Sequence, residues 1–178
     1  MAANTASAWT ESRVGYASNS LYIASCTVLA DTGNYAAYSL KTPRGLNVAK
    51  PWTLIAYFSA DPVVTGTALL NLWGGYSDDF VMATTPGAAA ITATSGGHIK
   101  ELCDNTTTLL VTLPWICQIT PNSFNSEGAV ADVVTVAAIA SGPKVRVPLM
   151  PYYAVGIDVA ANVLDAVTAY YKIIQAKD

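Results

Sequence analysis

The chain has 178 residues, which is enough for one domain with a two-layer core. Apolar residues make up 52% of it and charged residues only 12%, about half the charged share of an ordinary globular domain. We expect a chain with so few charges to cover much of its surface with copies of itself or with a partner. The net charge is −3 and the nine Lys and Arg residues are scattered, so nucleic-acid binding is not expected.

The sequence carries no recognisable export or membrane signal. Residues 1–20 contain no basic segment followed by an apolar run, and no apolar stretch reaches about 20 residues. Cys26, Cys103 and Cys117 are an odd number of cysteines for a disulfide framework. These features predict a protein made in a cytoplasm, not secreted, with reduced and buried thiols.

The first 20 residues differ in composition from the rest of the chain. They are mostly small and polar, with Trp9 and Tyr16 as isolated large side chains. We interpret residues 1–20 as an extended N-terminal arm that orders when it docks on a partner, with Trp9 and Tyr16 as its anchors. A frayed terminus is the alternative. Residues 21–178 are then a single domain.

Short β-prone runs follow from Leu21 onward, separated by turn residues such as Asp31–Asn34 and Gly74-Gly75. Val, Ile, Thr and Tyr dominate these runs, and the turns recur roughly every 8–12 residues, which is typical of sandwiches and barrels. The sequence therefore predicts a mainly β protein, an antiparallel β-sandwich of jelly-roll or β-tulip type. The runs are 21–30, 35–41, 52–60, 67–73, 80–84, 89–94, 98–103, 106–120, 129–140, 144–149, 152–160 and 163–175.

Two segments also fit a helix. Residues 129–140 are rich in Ala and Val, and apolar residues from Val159 to Ile174 recur at steps of three and four. The many β-branched and aromatic residues in 163–175 favour a strand there.

Catalytic and metal-binding patterns are weak. His98 is the only histidine, and its spacing from Cys103 and Cys117 matches no regular zinc motif. No nucleophile elbow and no glycine-rich phosphate loop is present. We expect no metal, no cofactor and no catalytic residue.

One short motif resembles a catalytic one. Asp31-Thr32-Gly33 is similar to the Asp-Thr-Gly of aspartic proteases, which a homodimer would supply twice. Asn34 stands where those enzymes carry Ser or Thr, and no flap hairpin follows. A hairpin turn explains the same four residues, since Asp bonds its own backbone and Gly and Asn accept positive φ. The turn is the interpretation that we favour.

The aromatic residues are the remaining candidates for a binding surface. Trp52, Trp73 and Trp115 lie within apolar runs, so core packing is favoured over a role as sugar-stacking platforms.

Two tyrosine pairs each place one ring on either face of a strand. From Tyr152-Tyr153 and Tyr170-Tyr171 we assign Tyr152 and Tyr171 to a partner-binding surface, together with Trp9 and Tyr16 of the arm.

The general character of the chain is similar to that of the small decoration (cement) proteins of tailed phages. The features that carry this resemblance are the arm Ala2–Ser20, the short Thr/Val/Ala-rich runs and the ending Val163–Gln175. The resemblance implies a β-sandwich or β-tulip module, often a trimer, that binds the major capsid protein at capsomer junctions, stabilises the virion and catalyses nothing. A tail-tube or jelly-roll coat protein, a carbohydrate-binding module and a retropepsin-like protease remain as alternatives.

Overall fold

A computed structural model describes residues 5–15, 20–30, 36–39, 41–58, 68–78, 81–82, 95–105, 115–122, 144–159 and 167–177. Within these ranges the chain forms twelve β-strands and no helix, which confirms the prediction of a mainly β protein. The strands are β1 (Thr5–Ala6), β2 (Thr10–Val14), β3 (Ser20–Ala30), β4 (Ala36–Tyr38), β5 (Trp52–Phe58), β6 (Ala68–Gly75), β7 (Val81–Met82), β8 (Ser95–Asn105), β9 (Trp115–Asn122), β10 (Lys144–Pro148), β11 (Tyr152–Val159) and β12 (Val167–Lys177).

The strands are arranged in two sheets. The first sheet has the order β1-β3-β12-β5-β9-β10, and β2 pairs with β3 beside β1. Its β12 is the strand between β3 and β5, and it pairs with β3 along all of its eleven residues. The second sheet has the order β4-β11-β6-β8-β7.

The expectation of wholly antiparallel sheets is wrong at two places. β9 and β10 pair in parallel, and so do β7 and β8. A parallel pair needs a connection of about a dozen residues or more to bring the chain back to the same end of the sheet. Residues 123–143 supply that length between β9 and β10. The parallel pairs could not be predicted from the sequence, because the spacing of short runs does not tell which strands become neighbours.

Alternation along β3 and β12 separates an inner from an outer face of the first sheet. In β3, Tyr22, Ala24 and Val28 are buried while Leu21 and Leu29 are exposed. This pattern follows from the period of two along a strand, with the apolar residues of one face removed from water.

The larger of two hydrophobic clusters among the described residues receives side chains from both sheets. Leu54 of β5 and Ile119 of β9 come from the first sheet, and Leu72 of β6 comes from the second. Trp52 and Tyr153 meet across the cluster with ring centroids 5.9 Å apart and tilted by 55°. These contacts confirm a core position for Trp52.

The segment between β4 and β5 is fastened to the sheet by a buried amide. Gln175 of β12 is only 2% exposed. Its Oε1 accepts the Asn47 N–H at 2.9 Å, and its Nε2 donates to the Asn47 carbonyl at 2.8 Å. A buried polar side chain is tolerated when it is hydrogen-bonded in this way, and it then favours one register over others.

The strand prediction for 163–175 is confirmed over its described part, since β12 begins at Val167 and is extended throughout. The segment 129–140, for which strand and helix were both open, lies outside the described residues.

Two cysteines are buried thiols of the core, as the sequence predicted. Cys26 lies in β3 and Cys117 in β9. Burial raises the pKa of the Cys26 thiol to about 12. Burial also raises the pKa of Tyr153 to about 12, although its hydroxyl accepts the Met150 N–H at 2.9 Å. Both groups are therefore neutral in the folded chain well above the pH at which they ionise in water.

We predict that the free energy of unfolding falls as the pH rises from about 9 to about 12. Both pKa values are raised in the folded state, from 9.0 for Cys26 and 10.0 for Tyr153, so the unfolded chain loses protons first. The stability that these two groups contribute is complete below their pKa values in the unfolded chain, and it is lost as the pH rises toward their pKa values in the folded chain. Urea unfolding at stepped alkaline pH measures it, and a free energy that stays constant to about pH 11 contradicts the buried assignments. Cys26→Ala should remove the earliest part of the loss.

Candidate functional site

The described part of the predicted arm is an edge of the first sheet. β1 pairs with the end of β3, and β2 pairs with its beginning, from Ser25 to Leu21. Between them, the Ser7 N–H donates to the Thr27 carbonyl at 2.8 Å, and the Thr27 N–H donates to Ser7 Oγ at 2.9 Å. Residues 5–15 therefore dock on the chain's own β3, and the loose arm that was predicted there is not what this conformation shows.

Trp9 is an anchor, as predicted, but its attachment is to its own chain. The indole is partly buried against the main core cluster, and its Nε1 donates to the Lys41 carbonyl at 2.7 Å. Tyr16, the other predicted anchor, lies outside the described residues.

A polar cluster fixes β2 to the segment that follows β4. The Glu11 carboxylate accepts the main-chain N–H groups of Arg44 and Gly45, at 3.1 and 3.0 Å. From the other side, Lys177 Nζ donates to the Gly45 carbonyl at 2.7 Å and lies 5.1 Å from the centre of the Tyr22 ring. Glu11 of β2 and Lys177 of β12 thus both form hydrogen bonds with the main chain of Gly45.

Tyr22 and Lys177 are electrostatically perturbed in this cluster. Burial, and after it the Glu11 carboxylate, raises the pKa of Tyr22 above its usual value. Burial and the positive charges of Arg13 and Lys50 lower the pKa of Lys177, which Glu11 partly offsets.

A glycine is required at position 45 because the side chains of Glu11 and Tyr22 approach its main chain closely. A Cβ atom at this position would lie 2.5 Å from Glu11 Oε2 and 2.5 Å from Tyr22 Cε2. Both distances are far below van der Waals contact, so any side chain would push β2 away from the body.

We predict that Gly45→Ala destabilises the fold by about 1–3 kcal/mol, because the new methyl group displaces Glu11 and Tyr22. Arg44→Ala is the matched control, since Arg44 is an exposed neighbour whose contact to Glu11 is made by its main chain. Urea unfolding of the two variants measures the difference. Equal stabilities would contradict the docked position of β2.

The two predicted tyrosines occupy different environments. Tyr152 is half-buried and packs against the second cluster, formed by Trp73 and Ala154. Tyr171 is only 1% exposed and belongs to the main core. The assignment of Tyr171 to a partner surface is therefore wrong. Tyr170 is the tyrosine of that pair on the outer face, because the odd-numbered residues of β12 point into the core and the even-numbered ones point outward.

An apolar patch lies at one end of the outer face of the first sheet. Val14 is 55% exposed and Leu21 44% exposed, and the two are paired in register. Leu21 is also opposite Ala176, and the next row pairs Ile23 with Ile174. We use the name apolar patch for these five residues: Val14, Leu21, Ile23, Ile174 and Ala176.

A groove lies at the other end of the same face, next to the N-terminal segment. Its volume is about 470 Å³. Tyr57 and Tyr170 stack at its side with ring centroids 4.8 Å apart and planes only 9° from parallel. The side chains that line the groove are Ser7, Thr10, Ser25, Thr27, Tyr57, Tyr170 and Lys172.

In the described part of the chain, the candidate metal ligands are divided between the two sheets. There, no group of three His, Cys, Asp or Glu side chains could hold a metal ion. His98 and Cys103 lie in β8 of the second sheet, whereas Cys117 lies in β9 of the first. Asp31 lies outside the described residues.

The described residues include no helix that is long and apolar enough to span a membrane. Comparison of the chain with protein-family models, with curated proteins and with solved structures finds no match.

Proposed function

We propose that this chain is a virion structural protein, a phage-head decoration protein that binds the lattice of the major capsid protein, with a homotrimer as the favoured assembly. The observation that carries the proposal is the apolar patch on the outer face of a charge-poor sheet. Val14 and Leu21 are large aliphatic residues, yet about half of each is exposed. Contiguous exposed apolar residues are a typical feature of protein-contact surfaces.

The position of the patch suits a contact between subunits. Val14 lies on β2, and Leu21 lies on β3 directly opposite it. Burying both side chains against a partner would remove apolar surface from water, which is the main driving force of association. With charged residues at only 12% of the chain, little repulsion opposes such a contact.

We also propose that the two sheets pack face to face as a β-sandwich of jelly-roll or β-tulip type. Support comes from the larger hydrophobic cluster, to which both sheets contribute through residues such as Leu54 and Leu72. Such a sandwich leaves the outer face of the first sheet to partners, whereas Asn71 and Trp73 on the other side of β6 are buried.

The N-terminal segment is the second element of the proposed contact. It contributes Val14 of β2 to the patch, and its described residues attach to the chain's own body through Trp9 and Glu11. Because these contacts hold β2 in position, Val14 is presented without the entropy cost of ordering a loose arm on binding.

We predict that Leu21→Asp weakens both self-association and attachment to shells at least tenfold, because a buried carboxylate without a partner is strongly unfavourable. Tyr76→Asp is the matched control, since Tyr76 is 57% exposed and lies outside the patch. Light scattering after size-exclusion chromatography gives the mass, and co-sedimentation with undecorated heads gives the attachment. A monomeric wild-type chain that also fails to co-sediment contradicts the proposal, and so does an unaffected Leu21→Asp variant.

The location in the particle separates this function from its closest alternative. Mass spectrometry of gradient-purified virions should detect the chain, and antibodies against it should label the head surface. Labelling along the tail would assign the chain to a tail tube, and absence from the particles would contradict a virion role.

A further inference from the structure

We infer that the groove on the outer face of the first sheet is a binding site for an oligosaccharide that carries a carboxylate, such as a uronic or sialic acid. The inference does not rest on the virion proposal, because it concerns residues outside the apolar patch. It rests on the shape of the groove, on one aromatic wall and on the charge and polarity of its lining.

The size and shape of the groove suit a small ligand. Its volume of about 470 Å³ falls within the range of ligand sites. The floor is the backbone of β3 and β12. Cys26 and Tyr171 reach it only through their main chain, because their side chains are buried on the other face.

The stacked tyrosines give the groove a flat wall. Tyr57 and Tyr170 are directly paired in register across β5 and β12. Their centroid distance of 4.8 Å equals the usual spacing of neighbouring strands, so the two rings stand upright on the sheet and face along its strand-to-strand direction. One face of Tyr170 is covered by Tyr57, and the other faces the β3 side of the sheet, above Thr27.

A sugar ring fits the space against that free face. The C–H groups of a pyranose pack on aromatic faces as other apolar surfaces do, while its hydroxyls remain at the edge for hydrogen bonds. Tyr57 supports Tyr170 from behind and limits its rotation, so less side-chain entropy is lost on binding.

Hydroxyl groups line the opposite side of the groove. The hydroxyls of Thr10, Ser25 and Thr27 are able to donate and accept hydrogen bonds, and they have no partner among the described residues. Ser7 Oγ is already engaged, because it accepts the Thr27 N–H and donates to the Ala8 carbonyl at 3.2 Å. Three hydroxyls are thus left for a polyhydroxylated ligand.

Lys172 determines the charge of the ligand. It lies on the outer face in register with Ser25, one row from Tyr170. Among the described residues, the lining contains no Asp or Glu, and Lys172 forms no ion pair with them. In a chain of net charge −3, a groove with one unpaired cation selects for an anionic group locally.

A carboxylate fits this cation better than a phosphate does. Phosphate sites are usually built from main-chain N–H groups at a helix N-terminus or from the guanidinium forks of arginines. Within the part of the chain that the structure describes, the lining of the groove includes no helix and no arginine. A lysine, three hydroxyls and an aromatic wall together offer an acidic sugar an ionic contact, hydrogen bonds and a stacking surface.

Isothermal titration calorimetry and saturation-transfer NMR with tetragalacturonate and 3′-sialyllactose test the inference, with maltotetraose as the neutral sugar and ATP as the phosphate. We expect the wild-type chain to bind at least one acidic sugar with a Kd below about 1 mM, and more tightly than maltotetraose or ATP. Tyr170→Ala should lower the affinity at least tenfold, and Lys172→Gln should lower it about three- to tenfold for the acidic sugar while leaving any neutral binding unchanged.

Matched variants separate the site from the fold and from the proposed function. Tyr76→Ala removes an exposed tyrosine outside the groove and should bind as the wild type does, and so should Leu21→Asp in the patch. Tyr170→Phe keeps the ring and should retain binding. It is the variant to use for the test if Tyr170→Ala fails to fold. The inference is overturned if neither acidic sugar binds at about 10 mM, if ATP or the neutral sugar binds equally well, or if Lys172→Gln binds the acidic sugar unchanged.

Discussion

The eleven-residue pairing of β12 with β3 fixes the two faces of the first sheet, and both proposed surfaces depend on that register. Side chains alternate along a strand, so a slip of one residue would exchange its two faces. In the observed register Tyr171 enters the core, whereas Tyr170 and Lys172 point outward. Gln175 reinforces this register, because its buried amide pairs in both directions with the main chain of Asn47. A slipped strand would lose those bonds and bury a charge in place of a tyrosine.

The same register divides the outer face into two zones of different chemistry. The outward residues of β3 change from Leu21 and Ile23 to Ser25 and Thr27, and the strand returns to an exposed apolar residue at Leu29. The residues opposite them on β12 change in parallel, from aliphatic side chains to Lys172 and then to an aromatic ring. An apolar zone suited to protein contact therefore adjoins a polar and aromatic zone suited to a small ligand. The N-terminal segment borders both zones, which gives its docking on β3 a direct consequence for function.

The sequence predicted the strands whose residues alternate or are strongly β-prone, including those around Cys26, Trp52 and Tyr153. It did not predict β2, because all five residues of that edge strand are exposed and carry no apolar alternation. It placed the two rings of Tyr170-Tyr171 on opposite faces but assigned the wrong one to the surface. A period of two says that neighbours differ, whereas only the partner strands decide which of them is inside. The groove was not predicted because Tyr57 and Tyr170 are far apart in sequence.

Hydroxyl-radical footprinting read by tandem mass spectrometry tests the register most directly, since it compares neighbouring side chains in the native protein. We predict that Tyr57 and Tyr170 are oxidised much faster than Tyr22 and Tyr171, and that denaturation removes the difference. Tyr57 is 38% exposed and Tyr171 only 1%, so the contrast is large. Oxidation of Tyr171 at the rate of Tyr170 in the folded chain would contradict the register, and with it the positions of the apolar patch and the groove.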